Sequence, residues 1–378
     1  MAMAALPHPD PHLAERCGEG ERDWVQAAVQ ALLQEGAALA DTPMRRLVLP
    51  GLPRIQLLLK DESVHPTGSL KHRLARSLFL YALCNGNLRR GQPVIDASSG
   101  STAISEAWFA RRLGIEFIAV MPRTTAQAKQ REVIALGGRC ELLAPGEDTA
   151  AHARELARSI DGCYLDQFGL AGSATDWRGN NNIAQSIIGQ CREHGVTAPD
   201  WIVCGAGTGG TSGTIGRYMR YLGLPTRLCV ADPAGSAFAA GWRTRDRGAT
   251  ASRASCIEGI GRPKVEPCFN FDIVDRVIEV ADVASVAGMQ WLEARTGQRF
   301  GGSSGTNAVA ALQLACDLRR DDRAGTIVLL LCDRGERYAD TLYSAPWLAS
   351  NGLDPAPWSR ALEAAESGEG DAPGFHHV

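Results

Sequence analysis

The chain has 378 residues, 45% hydrophobic and 21% charged, the composition of an ordinary globular protein of one or two domains. A formal net charge of −3 offers no field for nucleic acid or an anionic lipid surface, and no apolar run approaches the ~20 residues of a membrane helix. The eleven cysteines include no Cys-x-x-Cys pair, which argues against a zinc or redox motif and suits a reduced, cytoplasmic setting.

In chain order, the opening "MAMAALPHPDPHLAERCGEG" lacks the basic start of a signal peptide and reads as a flexible end over residues 1–20. From about residue 45 to residue 340, short aliphatic and β-branched runs alternate with helical patterns. The runs "RIQLLLKDE", "PVIDASS", "EFIAVMP", "CELLAP", "GCYLDQF", "DWIVCGAG", "TRLCVADP", "DRVIEVAD" and "TIVLLLCDRG" predict strands. Their continuous apolar character, without in/out alternation, is that of strands covered on both faces. Between them, "AISEAWFARRLG" and "TAQAKQREVIALGG" carry helical periodicity and end on glycine. The alternation predicts an α/β fold with mainly parallel sheets and helices on both faces. Residues 351–378 read as a C-terminal tail, with His376 and His377 as tail residues and not metal ligands.

Four junctions between elements carry chemistry. In "PTGSLKHR", Lys71 stands where a strand-like run gives way to a helical one, a place for a lysine committed to covalent chemistry or for one that simply faces water. In "DASSGSTAISEAW", the hydroxyls of Ser98, Ser99, Ser101 and Thr102 surround Gly100 at a helix start, either a carboxylate cradle or an ordinary N-cap. In "GAGTGGTSG", glycines follow a strand and open a helix, so backbone N–H groups can meet a phosphate, with hydroxyls from Thr208 and Thr211. Gly205, Gly207 and Gly210 also satisfy G-x-G-x-x-G, with Asp232 ending the next strand, which keeps a nicotinamide-dependent oxidoreductase open. In "FGGSSGTNAVAAL", Gly301, Gly302, Ser303 and Ser304 again lead into a helix.

The order of lysine loop, Ser/Thr-Gly loop, "LDQF", "GAGTGGTSG", "IEGIG", "GGSSG" and "DRGERY" resembles the pyridoxal-phosphate enzymes related to cysteine synthase and cystathionine β-synthase, over roughly residues 40 to 345. The resemblance implies the two-domain tryptophan-synthase-β-like fold (fold type II) with pyridoxal 5′-phosphate as cofactor. It implies that Lys71 forms the Schiff base, that Gly207, Thr208, Gly209, Gly210 and Thr211 form the phosphate cup, and that Ser303 meets the pyridine nitrogen. Ser98, Ser99, Gly100, Ser101 and Thr102 match the substrate-carboxylate loop, Gln167 its glutamine partner, and Gly259 the loop facing the amino acid. A hydroxyl opposite the ring nitrogen makes the cofactor a moderate electron sink, suited to expelling a β-leaving group.

The departures from the family pattern bear on specificity. Cysteine synthases usually read Ser-Gly-Asn-Thr-Gly where this chain has Ser99-Gly100-Ser101-Thr102-Ala103, so Ser101 replaces the Asn beside the cofactor oxygen. "GLAGSATDWRGNN" follows Gln167-Phe168 in place of the usual Asn-Pro pairs, Arg262-Pro263 follows the "GIG", and His72 follows the lysine. With these features the chain is similar to the bacterial L-cysteine desulfhydrases of the family. The implied activity is β-elimination of L-cysteine to sulfide, pyruvate and ammonia, with cysteine synthase or cystathionine β-synthase-like β-replacement as the alternative. The expected organisation is a large cofactor-binding domain over 21–84 and 173–350 and a small substrate-loop domain over 85–172. The expected protein is a homodimer acting on a small amino acid, with no metal, nucleic acid or membrane partner.

Overall fold

The computed structural model describes residues 20–38 and 41–370. In chain order the main elements are α1 (Glu21–Ala38), β1 (Met44–Leu47), β2 (Ile55–Asp61), α2 (Lys71–Cys84), β3 (Val94–Ala97), α3 (Ser101–Leu113), β4 (Phe117–Pro122) and α4 (Gln127–Ala135). There follow β5 (Arg139–Leu143), α5 (Thr149–Ser159), β6 (Cys163–Tyr164), α6 (Gln167–Ala174), α7 (Ile183–Glu193), β7 (Trp201–Gly205) and α8 (Gly210–Tyr221). The last are β8 (Arg227–Pro233), α9 (Ala237–Thr244), β9 (Arg276–Val280), α10 (Asp282–Thr296), α11 (Gly302–Arg320), β10 (Gly325–Leu331), α12 (Ala345–Ser350) and α13 (Ala356–Ser367).

Each apolar run singled out in the sequence becomes one of the strands β2–β10. The short β1, "MRRL", carries two arginines and no aliphatic run, and it pairs antiparallel with β2 at the edge of its sheet. Helices end where the chain turns left-handed: Gly114 closes α3 at φ 65°, and Gly297 closes α10 at φ 70°.

Contacts group the chain into two packed units, one of α1 with His65–Thr175, the other of Thr42–Val64 with Asp176 onward. In the first, four parallel strands lie in the order β5-β4-β3-β6. Strand alternation sends Val94, Ala119 and Met121 towards α2 and α3, and Ile95, Ile118 and Val120 towards Ala153 and Ala157 of α5. In the second, six strands lie in the order β1-β2-β10-β7-β8-β9, all parallel but for β1. Leu57, Val203, Leu329 and Leu331 pack against α10, α11 and α13.

The grouping departs from the expected boundaries at two places. Residues 65–84 and α1, expected with the large domain, pack on the small sheet, because Ala75, Leu78, Phe79 and Ala82 of α2 join the core built by Trp24, Ala103, Ala107 and Phe109. Residues 351–370, expected as a tail, contain α13, whose Leu362 and Ala365 are fully buried. Its Glu366 accepts from Trp291 Nε1 at 2.9 Å and pairs with Arg295 at 2.6 Å, fastening the helix to α10. The expected flexible stretch before Gly20, and His376 and His377, lie outside the described residues.

The closest helix crossing positions a candidate site residue. At Gly305 of α11 a Cβ would stand 2.1 Å from the Ser285 carbonyl of α10, and one at Gly288 would stand 2.4 Å from the Gly305 carbonyl. Backbone against backbone leaves nothing that can yield. Gly305→Ala should therefore lower the unfolding free energy by about 1–3 kcal/mol. Gly189→Ala, in an open position of α7 with nothing within 4 Å, should raise it by about 0.5–1 kcal/mol. Opposite shifts of the denaturant midpoint are the expected result.

Candidate active site

The loop before Lys71 is a tight turn made by its own polar groups. Gly68, at φ 71°, donates its N–H to the His65 carbonyl at 2.7 Å, and Ser69 Oγ accepts from Lys71 N at 3.2 Å. Lys71 opens α2 and is half-buried. It thus sits at the positive end of the helix, which attracts anions and not cations.

In the same unit, β3 delivers the chain to Ser98, whose Oγ accepts from Ala103 N at 3.1 Å. Gly100 is the N-cap of α3 with no capping side chain of its own, and the first-turn N–H groups of Ser101 and Thr102 face outward along the helix axis. Thr102 is 4% exposed, Ser99 exposed. The adjacent parallel strand β6 leads into α6, so Gln167 starts a helix at the same sheet edge. Its Nε2 donates to the Ala97 carbonyl at 3.0 Å, tying it to the root of the serine loop. The structure thereby brings Gln167 beside Ser98–Thr102.

Beneath this loop lies a pair that the sequence reading passed over. Asp96 of β3 and Glu106 of α3 are both fully buried, and no other side chain donates to either. Their mutual contact is a hydrogen bond only while one of them holds a proton. Burial pushes Asp96 up to about 7, with the Ala97 and Gln167 backbone N–H groups pulling the other way. Burial, then the neighbouring Asp96, holds Glu106 well above its ordinary value. The signal in the sequence was an acid at each of two positions whose neighbours are apolar or small.

In the other unit, β7 runs into α8 through Gly205–Gly209. Gly209 has φ 85°, and a Cβ there would meet Phe269 N at 2.6 Å, so both conformation and space require glycine. Thr208 Oγ1 accepts from Gly210 N at 3.2 Å, leaving its own hydrogen to donate, and Thr211 opens the helix beside it. No acid stands in the first turn of α8. A cradle of N–H groups and hydroxyls without carboxylates fits a phosphate.

Ser303 lies in the first turn of α11, whose start is pinned to the end of β10. Ser304 Oγ accepts from Cys332 N at 2.8 Å, and Asn307 Nδ2 donates to the Leu330 carbonyl at 2.8 Å. Ser303, 5% exposed, has no hydrogen-bond partner among the described residues, so a buried hydroxyl remains for a ligand atom. Because β10 and β7 are parallel neighbours, Ser303 and the glycine loop share one edge of the six-stranded sheet. This donor set suits pyridoxal phosphate: a phosphate cradle, and a hydroxyl for the ring nitrogen. Gly259 is exposed at φ 82° with open space around a would-be Cβ, so conformation alone selects glycine there. Asp232 has no exposed surface, and its Oδ2 accepts from Ala239 N at 3.0 Å, so it serves α9 and cannot reach a ribose.

A family model described as "Pyridoxal-phosphate dependent enzyme" matches residues 37–333. The chain is 49% identical over 345 residues to the L-cysteine desulfhydrase Cds1 of Mycobacterium tuberculosis, covering 90% of this chain and 94% of that protein. It is 30% identical over 309 residues to a probable cysteine synthase of Bacillus subtilis, covering 80% and 94% respectively. A solved structure of O-ureido-L-serine synthase superimposes with a TM-score of 0.72 at 27% identity, over 84% of this chain and 98% of that one.

The Asp96–Glu106 pair has a pH signature. Acids with raised values in the folded state keep protons that the unfolded chain loses, so their contribution is present below about pH 4 and fades as pH rises through about 7. Glu106→Gln supplies a permanent N–H donor to Asp96. The variant should gain stability relative to the parent between pH 5 and pH 8, by up to about 1.4 kcal/mol per pH unit for one proton. Chemical denaturation at both pH values measures it, and an unchanged pH slope would reject the shared proton.

Proposed function

Because the chain belongs to the pyridoxal-phosphate dependent enzymes, we propose that it cleaves L-cysteine by β-elimination, with water, to sulfide, pyruvate and ammonia. The observation that carries this reading is the 49% identity to a cysteine desulfhydrase over 90% of the chain. Bound pyridoxal phosphate would supply the electron sink that stabilises negative charge at the substrate α-carbon. Lys71 is the amine that would hold the cofactor aldehyde and would take the substrate α-proton. The Gly207–Thr211 cup would take the phosphate dianion, and the Ser303 hydroxyl would meet the ring nitrogen. The start of α3, with Ser98, Ser99, Gly100, Ser101 and Thr102, takes the substrate carboxylate, backed by Gln167, while the Gly259 loop faces the amino acid. Loss of the β-thiolate and hydrolysis of the remaining imine complete the balance.

β-Replacement, in which sulfide attacks an O-activated serine, shares these groups. The likeness to a probable cysteine synthase makes it the second reading. Ser101 favours elimination, since a serine in place of an asparagine removes an amide beside the cofactor and admits water. The reading also includes a homodimer in the cytoplasm. It is supported by the family resemblance, and by thiols such as Cys204, Cys229 and Cys316 that are buried in the core.

Pure enzyme given L-cysteine alone should release sulfide and pyruvate in equal amounts. Lys71→Ala should reduce the rate by about a hundredfold or more. Efficient cysteine formation from O-acetylserine and sulfide, with negligible pyruvate from cysteine, would replace elimination by β-replacement. Borohydride reduction should fix the cofactor to the peptide that contains Lys71, and a label on another lysine would overturn the assignment.

The cup is tested separately. Thr208→Val with Thr211→Val should weaken cofactor retention in equilibrium dialysis by tens-fold for each lost bond, about 1.5–3 kcal/mol apiece. Unchanged retention would place the phosphate elsewhere.

A further inference from the structure

Immediately after Lys71, the first turn of α2 sends His72 into the interior of its unit, with no exposed surface. The ring packs against His65, Trp108 and Phe109, with centroids 5.1, 5.0 and 4.7 Å away. Its Nε2 lies 2.8 Å from Glu35 Oε1 of α1, whose other oxygen takes Arg76 at 3.3 Å. Its Nδ1 lies 3.2 Å from Thr67 Oγ1, and Thr67 Oγ1 lies 2.9 Å from Ser105 Oγ of α3. Ser105 in turn donates to the Ser101 carbonyl at 2.9 Å. One buried chain of polar groups therefore joins α1, the residue beside Lys71, the turn that presents Lys71, and the first turn of α3.

Hydrogen counting fixes the direction of this chain. Burial pulls the imidazolium of His72 down to about 4, against the attraction of Glu35, so the ring carries one hydrogen at neutral pH. Burial also opposes the Glu35 charge, but His72 and Arg76 together hold that carboxyl below its ordinary value. An ionised carboxylate only accepts, so the ring hydrogen sits on Nε2 and Nδ1 must accept from Thr67. With the Thr67 hydrogen spent, the Thr67–Ser105 contact uses the Ser105 hydrogen, which the Ser101 carbonyl shares. His72, Thr67 and Ser105 supply one hydrogen each, three for four contacts. The acceptor at Nδ1 thus sets how the other two hydroxyls are used.

We propose that His72 is a positioning residue: by accepting from Thr67 it holds the Lys71 turn and, through Ser105, the first turn of α3 at one spacing, so that the amine and the carboxylate cradle engage the same substrate. This rests on the roles of Lys71 and Ser98–Thr102 given above.

Three holoenzyme variants separate this from simple fastening of α2 to α1. His72→Asn places an amide oxygen near Nδ1 and keeps the acceptor for Thr67. His72→Gln places an amide nitrogen near Nε2 and keeps only the Glu35 contact. Thr67→Val removes the hydroxyl at nearly constant volume. With L-cysteine, His72→Gln and Thr67→Val should lose about tenfold or more in kcat with cofactor retention unchanged, and His72→Asn should stay within about threefold. Amide hydrogen exchange over residues 98–105 should be faster in His72→Gln and Thr67→Val than in the parent or His72→Asn. A fully active His72→Gln beside an impaired His72→Asn would overturn the proposal, as would equal exchange rates in all four proteins. If the parent itself releases no sulfide from L-cysteine, the cleavage reading fails and the exchange comparison alone decides the role of His72.

Discussion

Parallel pairing obliges every connecting helix to start at the same edge of its sheet, and each helix start leaves backbone N–H groups without acceptors. The candidate loops of each unit are built from that constraint. In the four-stranded sheet, β3 and β6 are parallel neighbours, so the serine loop and Gln167 arise side by side at their ends. In the six-stranded sheet, β7 and β10 do the same for the glycine loop and Ser303. Within each unit, helix starts that can receive an anion thereby lie side by side.

The smaller unit carries its polar groups inside. Asp96 and Glu106 sit under the serine loop, and Glu35, His72, Thr67 and Ser105 connect it to the lysine turn. Burying such groups costs stability unless their hydrogens are distributed among them. In this unit part of that cost falls at the roots of the two segments proposed to meet the substrate. The larger unit obtains its precision differently, from backbone contact between α10 and α11 and from the bonds that Ser304 and Asn307 make to the end of β10.

Elimination and replacement share the first half of the chemistry, so a fold common to synthases and desulfhydrases is expected to keep the same cup, lysine and ring-nitrogen partner. The differences gather in the loops proposed to meet the substrate. Ser101 stands where an amide is usual, and His72 follows the lysine where an acid or cysteine is common. His72 is built into a network that reaches Ser101 itself, so the two departures are physically connected in this chain.

Local patterns by themselves determined much of this protein. Aliphatic runs marked β2 to β10, most continuous in inner strands such as β4, β7 and β10 that are buried on both faces, and Gly-rich or Ser-rich junctions marked the helix starts. Lys71, the serine loop, the glycine loop and Ser303 stood out as residue types placed at such junctions, and the roles proposed for them came from the order of motifs that resembles the family. Tertiary structure decided the rest. The arginine-bearing β1 acquires its place from pairing with β2, and α13 from burying Leu362 and Ala365, neither of which is encoded in a local period. The unit boundary moved because the apolar face of α2 found its partners on α1 and α3. The pairing of Asp96 with Glu106 and of His72 with Glu35 and Thr67 depends on side chains between five and 37 positions apart meeting away from water, and only the folded chain sets those distances.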